Sequence, residues 1–277
     1  LISEKIRKLT VVKPHAFSLD LELKELWDYR ELLSFLVIRE VKIRYKQTAI
    51  GVLWAILQPA LTTLILAAIF SRVDRFSTGE TPYLLYVLSG LLVWLFIFNG
   101  VSFGASSLLT NVNLITKIYF PRLILPSAAV IAGLLDMIVG LIIFIGIAMF
   151  FGIFPTLWIL VAPLFLLQAV LLTLSLGWLL SALNVRFRDV KFALPFLLQI
   201  WMFISPLFYP VEILPASMRM LFSLNPLVGI LHGVRSSLFD QPYDFQLIGT
   251  SLVVTFLISI LSLLVFKKME DSFADLI

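Results

Sequence analysis

Six long apolar stretches alternate with short polar connectors along the chain, at residues 50–70, 83–109, 123–151, 157–183, 192–209 and 245–266. A helix needs roughly 20 apolar residues to cross a hydrocarbon core of about 30 Å, and each stretch approaches or exceeds that length. The pattern predicts an all-α integral membrane protein with six transmembrane helices. An even number of crossings puts both chain ends on one side. Between the fifth and sixth stretches, Pro206, Pro210, Pro215 and Pro226 divide the sequence into apolar pieces at 216–224 and 227–239, too short to cross. They are predicted to be two short re-entrant helices within 211–244 that cap the outer mouth. Such backbone is tolerated at membrane depth only against protein or water.

A different periodicity precedes the first span. In LKELWDYRELLSFLVIREVKIRYK (23–46), Lys24, Asp28, Glu31, Arg39, Lys42 and Lys46 recur at three- and four-residue steps, with Leu26, Leu33, Leu36, Val37 and Val41 on another face. This predicts an amphipathic interface helix over 23–49, after an N-terminal cytoplasmic tail at 1–22. Arg39, Lys42, Arg44 and Lys46 then meet anionic headgroups, each worth about 1 kcal/mol near such a surface. The basic collar serves either as an anchor alone or also as the receiver of a lipid-linked substrate's phosphate.

Composition fixes the solvent. Of 277 residues, 60% are hydrophobic and 14% charged, too few polar groups to cover a soluble domain of this size. Mean hydropathy is +1.03, so the surrounding medium is lipid. Cysteine is absent, which removes disulfides and cysteine metal sites. The charged start LISEKIRKLT lacks a following apolar run and argues against a cleavable signal peptide. Cytoplasmic loops hold the excess of Lys and Arg. Only Arg72, Arg75, Arg219 and Arg235 fall on one predicted face; all other Lys and Arg fall on the opposite one, which makes both termini cytoplasmic. The 50–266 membrane domain is thus followed by a cytoplasmic tail at 267–277.

Within the predicted spans, Asp136 is the acid placed deepest, at about 2.5–3.5 kcal/mol on insertion scales, so a partner, water or a proton must relieve it. It reads either as a path-lining carboxylate or as a buried packing residue. Gly100 and Gly104, and Ala129 with Gly133, have the small-residue spacing that lets helices approach closely. Pro59 predicts a kink near Gln58. Both histidines, His15 and His232, fall outside the spans and read as surface or interface residues. There is no Gly-Lys pair and hence no phosphate loop, so the chain has no ATP site of the usual kind and no catalytic or metal-binding constellation.

The connector NVNLITKIYFPRLILP (111–126) keeps Leu114, Ile115, Ile118, Tyr119 and Phe120 among its polar residues, which a solvated turn does not need. Together with REVKIRYKQTAIGVLWAILQP (39–59), NVRFRDV (184–190), SPLFYP (205–210) and NP (225–226), it resembles the membrane subunit of type 2 ABC exporters. Within that class it is most similar to permeases exporting O-antigen, other surface polysaccharides and teichoic acids.

The resemblance implies that 111–122 is a coupling helix seated in a cleft of a separate ATPase. Leu114, Ile115, Ile118, Tyr119 and Phe120 then provide apolar contact, with Lys117 and Arg122 at the polar rim. An interfacial turn dipping into lipid is the plainer alternative. Arg186, Arg188 and Asp189 are implied to take part in coupling, or else serve positive-inside retention. Spans one and five line the path in the resembled family, which puts Trp54, Gln58, Gln199, Trp201, Phe203 and Tyr209 forward as contacts for sliding sugars.

The expected assembly is a homodimer with two nucleotide-binding ATPase subunits, in a bacterial inner membrane. ATP and magnesium sit on the partner, and the cargo is a lipid-linked polysaccharide; nothing points to nucleic acid. Rival readings are a teichoic acid or capsule exporter of the same family, an ABC permease for drugs or small lipids, a secondary carrier or channel, and a membrane glycosyltransferase. A carrier predicts inverted repeats and intramembrane ion ligands. A glycosyltransferase predicts clustered carboxylates, unlike the isolated Asp74 and Glu80.

Overall fold

The computed structural model describes residues 27–46, scattered positions between 53 and 68, residues 81–213 and 215–270, and residue 273. The tail 1–22, most of the first predicted span and Trp54 lie outside the described residues. Among those described, every regular element is helical. The α-helices are α1 (Arg30–Tyr45), α2 (Tyr83–Thr110), α3 (Val112–Lys117), α4 (Ile124–Ala132), α5 (Leu134–Phe150), α6 (Ala162–Arg186), α7 (Val190–Ile204), α8 (Ala216–Ser223), α9 (Pro226–Phe239) and α10 (Phe245–Glu270), with short 3-10 helices at Leu157–Val161 and Val211–Ile213.

Among the described residues, four helices are long and apolar enough to cross a membrane: Tyr83–Thr110, Ile124–Phe150, Leu157–Arg186 and Phe245–Glu270. The second runs through α4 and α5, which meet at Gly133, whose N–H turns back to the Val130 carbonyl at 3.0 Å. The expected fifth span, 192–209, is shorter in the structure. Helix α7 has 15 residues and ends where Ser205 becomes extended (ψ 147°). Pro206 explains the stop, because its ring disfavours helical backbone at the preceding residue and it lacks an N–H.

Helix α2 is the axis of the bundle, with 78% of its most apolar window buried against 22% for α10. It packs on α6 and α4, while α6 packs on α10 and α9. A Cβ at Gly104 would meet the Gly177 Cα at 3.1 Å, so the two backbones touch as the small-residue spacing predicts. Polar side chains hold α6 to α10. Gln168 Nε2 donates to Ser251 Oγ (2.8 Å) and Thr255 Oγ1 (3.2 Å), and Ser175 Oγ donates to Ser259 Oγ at 2.7 Å. These bonds pair the Gln168 amide nitrogen and the α6 and α10 hydroxyls inside an apolar bundle, where an unpaired polar group is expensive. The outward faces, such as Ile142, Leu164, Leu167 and Phe256, are left to lipid.

At the end of the bundle away from α3, α9 is buried along nearly its whole length. Asn225 caps it by accepting from the Leu227 N–H at 3.1 Å, and Pro226 opens the helix, where a missing N–H loses nothing. The same amide accepts from Trp201 Nε1 at 2.9 Å and donates to Ser205 Oγ at 2.9 Å. The helix closes on Asp240 at φ 55°, a left-handed stop. Asn225→Ala removes the cap and both bridges. It is expected to destabilise the folded protein by about 1–2 kcal/mol, read as a lower thermal midpoint in nanodiscs.

Candidate functional site

The residues from 111 to 122 form a hook held at both ends. Asn111 closes α2, and its amide donates to the Ser107 carbonyl at 2.8 Å. That leaves the amide oxygen for Arg39 Nη2 at 2.6 Å, while the same nitrogen pairs with Glu40 at 2.7 Å. At the other end, Arg122 Nη1 donates to the Glu270 carbonyl at the foot of α10, and its guanidinium lies 5.8 Å from the Phe273 ring. Glu270 is itself held by Lys267 at 3.1 Å. The hook therefore joins α1 at its start and α10 at its finish.

Between these ties the side chains divide. Leu114 and Ile115 lean on an apolar cluster that includes Leu36, Phe120 and Phe266. Phe120 is buried within this chain and belongs to that cluster. Arg122 is half-buried and bonded to the Glu270 carbonyl. Of the predicted contact residues, Lys117, Ile118 and Tyr119 are exposed, the last two 58% and 82%. Helix α3 has only six residues, and Ile118 leaves it in extended conformation (φ −135°), which turns these side chains outward. Two adjacent, well exposed apolar residues beside a lysine form a compact contact surface.

Arg186, Arg188 and Asp189 are exposed between α6 and α7. Arg186 lies 5.4 Å from the Phe187 ring, and the Asp189 carbonyl accepts the first N–H groups of α7. Among the described residues they make no ion pair to α1.

The basic residues of α1 point in two directions. Arg39 reaches Asn111, as described. Arg44 faces inward instead of toward headgroups: it meets Asp136 Oδ2 at 3.3 Å, the Ala129 carbonyl at 2.8 Å and the Phe103 ring at 4.4 Å. Burial lowers the Arg44 guanidinium from its ordinary value, with the Asp136 charge and hydrogen bond working against that shift. Tyr45 Oη also donates to Asp136. This answers the partner requirement for an acid in an apolar helix. Lys42 and Lys46 stay exposed. Asp136→Asn keeps an acceptor for Tyr45 but removes the charge facing Arg44. The expected loss is about 1 kcal/mol of stability, checked by thermal unfolding in nanodiscs.

The path candidates scatter. Gln58 is exposed and lines a cavity shared with Asp136. Gln199 and Phe203 are exposed on α7. Trp201 is half-buried, bonded to Asn225 and edge-on to Trp94 at 5.6 Å, so it braces the bundle. Tyr209 donates to the Ile204 carbonyl at 3.0 Å and accepts on its own carbonyl from Tyr86 Oη at 3.1 Å.

The role of Arg235 escaped the sequence reading, which counted it on the external face, in the short helix expected at 227–239. It is buried on α9. Its Nη1 donates to Tyr86 Oη (2.6 Å) and the Pro206 carbonyl (2.7 Å), and its Nη2 to the Leu207 carbonyl (2.8 Å), with the guanidinium 3.6 Å over the Tyr86 ring. A lone arginine inside GILHGVRSSLF was the available signal. It anchors α9 and the 206–207 turn to α2.

Residues 31–239 match the family model described as ABC-2 type transporter. The chain is 32% identical over 220 residues to the O-antigen export system permease protein RfbA of Myxococcus xanthus, covering 79% of this chain and 84% of that one. A Klebsiella pneumoniae protein of the same description is 25% identical over 248 residues, 89% of this chain and 95% of the relative. The polysialic acid transport protein KpsM of Escherichia coli is 26% identical over 205 residues, 71% of this chain and 76% of the relative.

Proposed function

The chain belongs to the ABC-2 type transporter family, and from that premise we propose that it is the permease subunit of an ATP-driven exporter of a lipid-linked polysaccharide. The observation that carries this reading is its 32% identity, across 84% of the relative's length, to an O-antigen export permease. The cargo is O-antigen-like and crosses the bacterial inner membrane from the cytoplasm. The similarity to a polysialic acid transport protein favours capsule export as the second reading.

In this reading six helices span the membrane and both termini are cytoplasmic. Two copies close a C2 path, the commonest oligomer symmetry, and each copy receives one ATPase subunit that holds ATP and magnesium. Ile118 and Tyr119 enter a cleft of that subunit. When the ATPase pair closes, the displaced hook moves α1 through Arg39–Asn111 and α10 through Arg122–Glu270, because those bonds tie its ends to both helices. Differential contact in two states is what transmission requires. Helices α8 and α9 act as the outer gate. Gln58, Gln199 and Phe203, exposed in the isolated chain, serve the path.

The test is purification from the native cell. A nucleotide-binding subunit co-purifies, and one lipid-linked glycan stimulates its hydrolysis. An active preparation without such a subunit overturns the proposal. Orientation is read separately: Lys117→Cys stays unlabelled by an impermeant maleimide added outside sealed cells, and labelling from outside refutes the topology.

A further inference from the structure

Two openings meet at Tyr45. One is a groove of about 550 Å³ whose lining includes Lys42, Lys46, Tyr45 and Leu135. The other is a cavity of about 430 Å³ walled by Leu92, Phe96 and Met137, with Asn99 and the Arg44–Asp136 pair on its polar side. Its size lies within the range of small-molecule sites, and its lining has their usual character of apolar walls with a few placed polar groups.

The charges of the two openings differ. Inside, Arg44 is matched by Asp136 at 3.3 Å, so the cavity wall carries no net charge. Outside, the Lys42 and Lys46 side chains make no ion pair or hydrogen bond among the described residues, which leaves two ammonium groups at the groove. The Asn99 amide, on α2 and lining the cavity, likewise has no hydrogen-bond partner among the described residues. From groove to cavity the surface therefore runs cationic, then neutral and polar, then apolar.

The rim shows where an occupant comes from. Leu135 borders the groove and continues along α5 into Ile138 and Ile142, which are exposed as a lipid-facing side of a spanning helix. The groove opens onto the bilayer, not onto water alone.

We infer that groove and cavity together bind one anionic phospholipid of the surrounding bilayer. Its phosphate sits between Lys42 and Lys46, its ester region beside Tyr45 and Asn99, and one acyl chain against Leu92, Phe96 and Met137. Basic pockets beside membrane-spanning helices select anionic headgroups by this charge arrangement. A free phosphate would leave the apolar wall unused, and a zwitterionic lipid would leave the two ammonium groups without net compensation. The occupant is a bilayer component and not the cargo, although Gln58, assigned to the path above, also lines the cavity. It places a lipid against α1 and α5 at the contact that joins them.

The experiment uses the full chain in nanodiscs of phosphatidylcholine with increasing phosphatidylglycerol, followed by native mass spectrometry of lipids retained after transfer to detergent. One phosphatidylglycerol is retained per chain in preference to phosphatidylcholine. The Lys42→Gln/Lys46→Gln double variant weakens this retention about 25-fold, each charge contributing about fivefold. Met137→Trp fills the cavity and removes the retained lipid while the thermal midpoint stays near that of the parent. Should that variant fail to accumulate, Leu92→Phe closes the cavity from the opposite wall. Equal retention of both lipids, retention unchanged in the double lysine variant, or displacement by inorganic phosphate alone overturns the site. Retention is measured without transport, so its failure leaves the export proposal standing, and failed export with retained lipid leaves this site standing.

Discussion

Arg235→Met is expected to deplete the folded protein from the membrane, with the survivors melting about 10 °C below the parent in nanodiscs. Methionine keeps the length and the apolar stem but has no donor. The carbonyls of Pro206 and Leu207, and the Tyr86 hydroxyl, then lose a charged hydrogen-bond donor in a buried site. Each unsatisfied buried group costs about 1–3 kcal/mol, and the stacking over Tyr86 goes with them. Arg235→Lys retains the charge but offers a single nitrogen where a planar fork spans several acceptors. Lysine is therefore expected to recover only part of the loss. Size-exclusion profiles and thermal midpoints of the three proteins, compared at equal expression, check the order Arg above Lys above Met. Equal midpoints for all three would show that the outer helices are held by something else.

Ile118→Asp combined with Tyr119→Ala is expected to lower export at least about 30-fold while leaving the permease folded. Both side chains are exposed, so their removal vacates no core of this chain. If they are the anchors of an ATPase contact, their loss has the size of an interface hot spot, about 2 kcal/mol or more. The readouts are separate: co-purification of the ATPase falls, the thermal midpoint of the permease does not. Phe120→Ala provides the contrast. Phe120 is buried, so its truncation is expected to lower the midpoint by an amount typical of a core phenylalanine, about 3–5 kcal/mol of stability. Export lost in both variants with an unchanged midpoint in Phe120→Ala would contradict the division drawn between the hook's exposed and buried residues.

The spans were readable in advance because length and hydropathy are properties of contiguous sequence. Tyr83–Thr110 and Phe245–Glu270 begin and end close to where the apolar runs do. The prolines at 206, 215 and 226 likewise separated the short helices in the places the backbone separates them. Pro206 also ended α7 earlier than hydropathy suggested, since an apolar run continues across a residue that a helix cannot. The contact surface of the hook was half legible. Its apolar residues were marked, but periodicity over six residues could not tell Phe120, which turns into the bundle, from Tyr119, which turns out.

Sequence was sufficient for the medium, the helical class and the order of elements, since each follows from runs of neighbouring residues: about 20 apolar positions for a crossing, proline for a break, no Gly-Lys pair for the lack of a phosphate loop. It was not sufficient for the fate of individual charges. Arg39, Lys42, Arg44 and Lys46 look alike along one helix, yet Arg44 meets an acid 92 positions away, Arg39 meets an amide 72 positions away, and the two lysines remain outside. Arg235 looked external and is buried against carbonyls 28 and 29 positions earlier. Such pairings depend on which helices touch and at what rotation, and those are set by the packing of the whole bundle around α2, where small residues such as Gly104 and Gly177 permit contact. An unpaired buried charge is too expensive to survive, so the final positions of the charges register the three-dimensional arrangement and not the local pattern.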